Sequence, residues 1–281
     1  LVMHAIRMVH DLNPRYVLIE NVTDFIITPI MYNGVETMLP DVIHQELDDK
    51  YDVDIHTIDT DNYGIPQTRD RMIILMTRHG VRRRWTLPPV EQHKVTMEEA
   101  IGHLPIVDPF IKDLPQEEFL RLFPNYEERR RQALAISPWN IPPVHVWRQV
   151  RAMMYTPTGQ TAFDNEPEYR PIKADGTFVR GYRNTYKRQN WNTPAYTVTM
   201  DNRKISSQNN VHPGRLVGQD ANGHDIYSDA RTLTLYELMK VMSLPEDWNV
   251  PVNTDEAFLR RIIGEGIPPL FIRKLFAQIV Q

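Results

Sequence analysis

The chain has 281 residues, 41% of them apolar and 24% charged, with a net charge of −4 and no cysteine. That composition suits one large or two smaller packed domains and excludes disulfides, thiolate metal sites and a thiol nucleophile supplied by these residues. No apolar run reaches the roughly 18 residues of a membrane span and no signal segment opens the sequence, so no membrane partner is expected and the expected compartment is the cytoplasm.

Residues 1–12 read as a helix, with Val2, Ile6, Met8 and Val9 on one side and Arg7 and Asp11 on the other. Because the sequence opens on Leu1 inside that pattern, the expectation is a piece of something longer or an unusual start. Asn13-Pro14 ends the helix, since proline cannot continue it and pushes its predecessor out of the helical region. Tyr16 to Ile19 is a short apolar run that reads as a buried parallel strand. It ends in Glu20-Asn21, at the edge where open α/β sheets bind ligands. A second helix is expected over 37–49, an alternating strand over 51–60, a turn at Tyr63-Gly64-Ile65-Pro66 and a strand from Arg71 to Met76. Residues 1–78 therefore read as α/β, the second half of a doubly wound domain. The arginine run and Pro88-Pro89 within 79–95 suggest a linker. Residues 96–230, rich in Pro, Gly, Asn and Tyr, suggest a separate, smaller, irregular and mostly β domain with little helix beyond 116–134. Helical pattern returns over 234–243, 256–263 and 269–280.

Charge is unevenly placed: residues 148–217 carry eleven Arg or Lys against five acids, although the chain as a whole is acidic. That is what a local phosphate-binding face looks like, and equally what an unevenly charged loop region looks like. Four constellations carry candidate chemistry. Glu20-Asn21-Val22 puts a carboxylate at a strand end; taken alone, such a glutamate is more often a loop cap. In Gly64-Ile-Pro-Gln67-Thr-Arg69-Asp-Arg71 the two arginines share one face of an extended segment, which suits a phosphate or a base carbonyl, or makes a surface pair around Asp70. Thr234 and Glu237, within the run from Arg231 to Trp248, form a capping box. Gly264-Glu265-Gly266-Ile267-Pro268-Pro269 leads into the last helix, where glycine permits close backbone approach to a ligand.

In this order the four constellations resemble the cytosine-C5 DNA methyltransferase family. Thr96 to Pro105, Trp191 to Met200 and Val211-His212-Pro213 resemble further stretches of it, so the likeness covers essentially the whole chain. The resemblance implies that Glu20 pairs with N3 of a flipped cytosine, that Asn21 steadies the catalytic loop, and that Arg71 reaches the cytosine O2 while Gln67 and Arg69 shape the same pocket. It implies S-adenosylmethionine as methyl donor, with Gly264, Gly266 and Ile267 near its methionine end. It also implies double-stranded DNA as partner, with Arg183, Lys187, Arg188, Arg203 and Lys204 on the DNA face, and a bacterial or phage-like restriction-modification setting. The domains implied are a partial catalytic domain over 1–86, a target-recognition domain over 87–230 and helices returning to the catalytic domain over 231–281.

Two departures stand out. The family's Phe-x-Gly-x-Gly cofactor loop and its Pro-Cys nucleophile are absent from these residues, and Glu265 stands where the family usually has Asn. The expectation is an incomplete enzyme, inactive alone, either truncated or completed by a second chain that carries the cofactor loop and cysteine. A non-catalytic DNA-binding or regulatory homologue and a tRNA-methylating relative are the competing readings. Retention of Glu20, Gln67, Arg69 and Arg71 argues against the first, and the long segment before the Arg231 element argues against the second.

Overall fold

A computed structural model describes residues 1–251 and 253–280. The chain divides into two compact units: 1–64, 69–93 and 270–281 form the first, 65–68 and 94–269 the second. The boundaries thus fall at 93/94 and 269/270, rather than at 86/87 and 230/231. None of the described helices is long and apolar enough to cross a membrane.

The first unit begins with α1 (Val2–Leu12), whose Ile6 and Val9 are buried and which ends on Asn13 in the left-handed region at φ 43°. A three-stranded sheet follows, built from β1 (Tyr16–Asn21), β4 (Tyr51–Asp59) and β5 (Asp70–Arg78), with β2 (Pro29–Tyr32) and β3 (Val35–Met38) forming a separate hairpin. Strand β5 is central and runs antiparallel to both neighbours. This corrects the expectation of a buried parallel strand at Tyr16–Ile19: β1 is half-buried and its partner is antiparallel. The reason is the connection between β4 and β5, which spans only residues 60–69 and carries no crossover helix. A parallel return needs a longer crossover, so β5 turns back and slots between β1 and β4. Met72, Ile74 and Met76 of β5 pack in one cluster with α1 and with α2 (Leu39–Leu47). Alternate residues face the other way; on that side the Trp85 backbone N–H donates to Thr77 Oγ1 (2.8 Å) and its indole N–H donates to Leu275 O (2.9 Å) of the C-terminal helix Pro269–Val280. Residues 79–93 are therefore part of this unit and bury Trp85, which the linker expectation missed.

The second unit holds α3 (Met97–Ile101), α4 (Gln116–Leu122), α5 (Tyr126–Ile136), α6 (Trp147–Met154), α7 (Leu235–Val241) and α8 (Glu256–Glu265). Its ladders are short: β6 (Phe110–Ile111) with β7 (Val144–His145), and β8 (Leu216–Gln219) with β9 (Asp225–Tyr227). The expectation of a mostly β domain is not met among the described residues. Buried backbone groups still need partners, and here side chains supply many of them. The Gln189 and Gln67 side chains accept from the N–H groups of Tyr196 and Val198, so 195–198 is held extended without a regular ladder. Two hydrophobic clusters hold the unit, one around Trp191, Leu238 and Ile263, the other around Val150, Met153 and Tyr186.

Candidate functional site

Antiparallel pairing sets the geometry at the end of β1. Glu20 lies opposite Ile73 and Asn21 opposite Met72. Arg71 is two residues before Ile73, so it shares a sheet face with Glu20 as a diagonal neighbour, a separation that long side chains span. The Arg71 Nε sits 2.7 Å from Glu20 Oε1, with side-chain exposures of 15% and 31%. Arg71 Nη1 donates to the Asp70 carbonyl (2.7 Å). The Asn21 side chain accepts from the Val22 N–H (2.8 Å) and so fixes the turn out of the strand.

Arg69 precedes β5 and is almost fully buried. Burial, then the adjacent Arg71 charge, lowers its guanidinium to about 10, with Glu20 opposing the shift. Its backbone N–H donates to Asp59 Oδ1 (2.8 Å). The Glu20 carboxylate and the guanidiniums of Arg69 and Arg71 thus lie together at the carboxyl end of a strand. An open apolar cavity of about 720 Å³ adjoins this strand end, lined by Met3, Met8, Ile19, Asn21, Phe25 and Met31 among others.

Gln67 is placed differently from expectation. It belongs to the second unit, is fully buried, accepts from the Val198 N–H (3.0 Å) and directs its amide nitrogen at the end of α7. It positions residues 195–198. Gly264 also has a packing role: a Cβ there would lie 2.3 Å from the Thr199 carbonyl oxygen and 2.7 Å from the Met200 nitrogen. The close approach this glycine permits is to protein backbone, so Gly264 does not fit a cofactor cradle. Gly266 caps α8 and Ile267 follows it, both partly exposed.

Among the basic residues the structure separates surface from interior. Arg183, Arg203 and Lys204 are exposed, paired respectively with Asp164, Glu256 and Asp201. Lys187 is half-buried, and its Nζ donates to the Tyr196 hydroxyl (2.9 Å). Arg188 corrects the expectation of a DNA contact. It is fully buried and donates to the carbonyls of His212, Asp229, Met153 and Ser228 at 2.7–3.2 Å. Four carbonyls converge on one guanidinium and leave it no route to a phosphate. Arg231 is likewise internal, bridging Glu237 and Asp229 at 2.7–2.9 Å, while Glu237 completes the cap of α7 with Thr234. Burial would raise Glu237, but the Arg231 guanidinium outweighs it and keeps the carboxyl below its ordinary range.

The C-5 cytosine-specific DNA methylase family model matches residues 1–281. The chain belongs to that family. It is 36% identical to the Type II methyltransferase M1.HgaI of Avibacterium volantium over 279 residues, covering 99% of this chain and 70% of that protein. It is 24% identical to the Type II methyltransferase M.XorII of Xanthomonas oryzae pv. oryzae, covering all of this chain and 62% of that one. Two solved structures share the fold. One is assigned as a DNA modification methyltransferase encoded within an E. coli prophage (TM-score 0.58, 17% identity, 99% of this chain and 72% of that chain). The other is a Spodoptera frugiperda DNMT2 mutant (TM-score 0.53, 12% identity, 99% and 71%). The α/β class is thereby shown, and the family implies S-adenosylmethionine as methyl donor and DNA as substrate.

Sequence reasoning named Glu20, Asn21, Arg69 and Arg71 as candidates, and the first unit brings them to one strand end. It missed which basic residues are interior, because burial of an arginine leaves no mark in local sequence. It also missed two aromatic side chains in the basic segment, Phe178 and Tyr182, that stand in solvent.

Proposed function

We propose that this chain supplies the base pocket and the DNA-recognition part of a cytosine-C5 DNA methyltransferase, and that the nucleophilic thiol and the cofactor loop come from residues outside these 281. The observation that carries the reading is the Glu20–Arg71 pair. The Glu20 carboxylate and the Arg71 guanidinium suit a base edge that offers an N–H beside a carbonyl, as cytosine does when N3 is protonated next to O2, with the N4 amino group on the far side of N3. The base must leave the stack to reach such a pair. Cytosine C5 becomes nucleophilic only once a thiolate has added at C6. A carboxylate at N3 favours the proton that makes the addition easier, and Arg71 holds O2. Asn21 steadies the strand exit, Arg69 shapes the same pocket, and Gly266 and Ile267 remain the residues of this chain proposed beside the methyl donor. With no cysteine in the sequence, the thiol is supplied either from the same reading frame or by a second chain. The first unit is then the second half of the catalytic domain, and the target-recognition domain lies within 87–230, with Arg183, Lys187, Arg203 and Lys204 as its candidate DNA contacts.

The test is single-turnover methylation. The purified chain alone transfers no methyl group to DNA, and a polypeptide carrying the Pro-Cys segment restores transfer. In the complemented enzyme Glu20→Gln, which keeps size and one acceptor oxygen, slows turnover by about 10²–10⁴ with DNA binding retained. Normal single-turnover rates in a less stable variant would make Glu20 a strand cap. DNA binding without activity under every complementation would favour the non-catalytic homologue.

A further inference from the structure

Residues 171–183 form a tongue on the second unit whose side chains are mixed basic and aromatic. Ile172 and Phe178 bridge antiparallel, and the Lys173 and Val179 N–H groups donate to Thr177 O (2.8 Å) and Pro171 O (2.9 Å). The turn between them has Gly176 at φ 81°, a conformation glycine adopts without a Cβ penalty. The only acid in the tongue, Asp175, spends its carboxylate on the Thr177 N–H and hydroxyl (3.0 and 2.7 Å). The root is fixed: Asn165 donates to Ala152 O and Tyr169 O, and Tyr169 stacks on Tyr155 with ring centroids 3.5 Å apart. The far end is closed by the Thr185 N–H and hydroxyl on Tyr182 O. Between these anchors Lys173, Phe178, Arg180, Tyr182 and Arg183 are exposed, Tyr182 at 80% and Phe178 at 55%.

An ordered loop that holds aromatic rings out in water is costly unless something covers them. The occupant must suit apolar ring faces interleaved with three cations. A nucleic-acid strand does, because its bases stack on aromatic rings and its phosphates take the cations. We propose that this tongue is inserted into the DNA substrate, with Tyr182 stacking on a base as the wedge, Phe178 beside it, and Lys173, Arg180 and Arg183 on the flanking phosphates. Arg183 leaves its exposed partner Asp164 to do so, an exchange that costs little because surface ion pairs are weak. The proposal rests on the reading that this chain acts on DNA.

The experiment titrates the 281-residue chain against labelled duplex DNA over a range of salt concentrations. Tyr182→Ala weakens binding by about 5- to 150-fold, from the worth of one base–aromatic stack, with the slope of log affinity against log salt unchanged. Tyr182→Phe keeps the ring and keeps the affinity. Arg180→Ala lowers the slope by about 0.9, one phosphate contact. All three variants melt like the wild type, since these side chains are solvent-exposed. A wild-type chain that binds duplex DNA while Tyr182→Ala binds as well overturns the tongue and leaves the DNA reading standing. A wild-type chain with no affinity for duplex DNA at low salt overturns both.

Discussion

Gly264→Ala separates a packing role from a ligand role for the glycine segment. Residue 264 lies inside α8, where alanine is intrinsically better than glycine by about 0.8–1.0 kcal/mol. Against that gain stands a Cβ placed 2.3 Å from the Thr199 oxygen and 2.4 Å from its carbonyl carbon. Both atoms belong to backbone, so no rotamer change relieves the contact, and α8 must withdraw from residues 199–200. Withdrawal loosens Leu259 and Ile263, which α8 contributes to the cluster containing Val198, Leu233 and Leu238. Overpacking of this kind costs about 1–3 kcal/mol and sometimes more; with no soft atom to yield, the upper part of that range applies. The net loss is about 2 kcal/mol, a fall in melting temperature of roughly 4–8 °C at about 2–4 °C per kcal/mol in a domain of this size. Thermal and urea unfolding of the whole chain measure it. Gly266→Ala is the control, because its Cβ would meet the Ile262 oxygen at 3.4 Å, ordinary contact, and stability should be nearly unchanged. A Gly264→Ala chain that melts at or above the wild type would refute the close approach and return Gly264 to the cofactor.

Arg188→Met leaves four buried carbonyls without their donor and should cost about 3–5 kcal/mol in urea unfolding; a surface, phosphate-binding arginine would instead change only the salt dependence of DNA binding. Acid should destabilise the second unit well above the carboxylate range, because burial lowers His212 to about 4 and His145 to about 3 from an ordinary 6.5. Between the folded and unfolded values only the unfolded chain takes up the proton, so stability is full above about pH 6.5 and falls as pH drops toward 4. Each histidine contributes a loss of about 2 kcal/mol at pH 5. Unfolding curves at pH 7.5, 6 and 5 test this, and a stability that holds steady across them would contradict the buried neutral state.

Much of the first unit was legible because it follows local rules. Asn13-Pro14 ends a helix, alternation marks 51–60, and the apolar run from Met72 to Met76 is a central strand buried on both faces. Strand direction was not legible, since an apolar run carries no sign of whether its neighbour is parallel; the short β4–β5 connection was the available clue. The β2–β3 hairpin also had one, in Asn33-Gly34 with both residues at positive φ. The second unit resisted because side chains hold its backbone. Gln67, Gln189 and Arg188 each act across long sequence separations, and nothing local in a glutamine or arginine announces a carbonyl twenty or more residues away. The capping box at Thr234/Glu237 was the exception, being contained within four residues.

The candidate site was legible by residue type. Arg71 and Glu20 are partly exposed, so their pairing adds little to stability. Arg69 sits nearly buried with a like charge beside it, and burial and Arg71 both push its guanidinium toward losing its proton. A carbonyl or phosphate oxygen brought to this strand end would meet the partly exposed Arg71 guanidinium, and an N–H on the same ligand would meet the Glu20 carboxylate. A pair that adds little to stability separates a binding pocket from a cap: Arg71→Met should leave the melting temperature of the whole chain nearly unchanged while weakening capture of the base, and a marked fall in melting temperature would favour the cap.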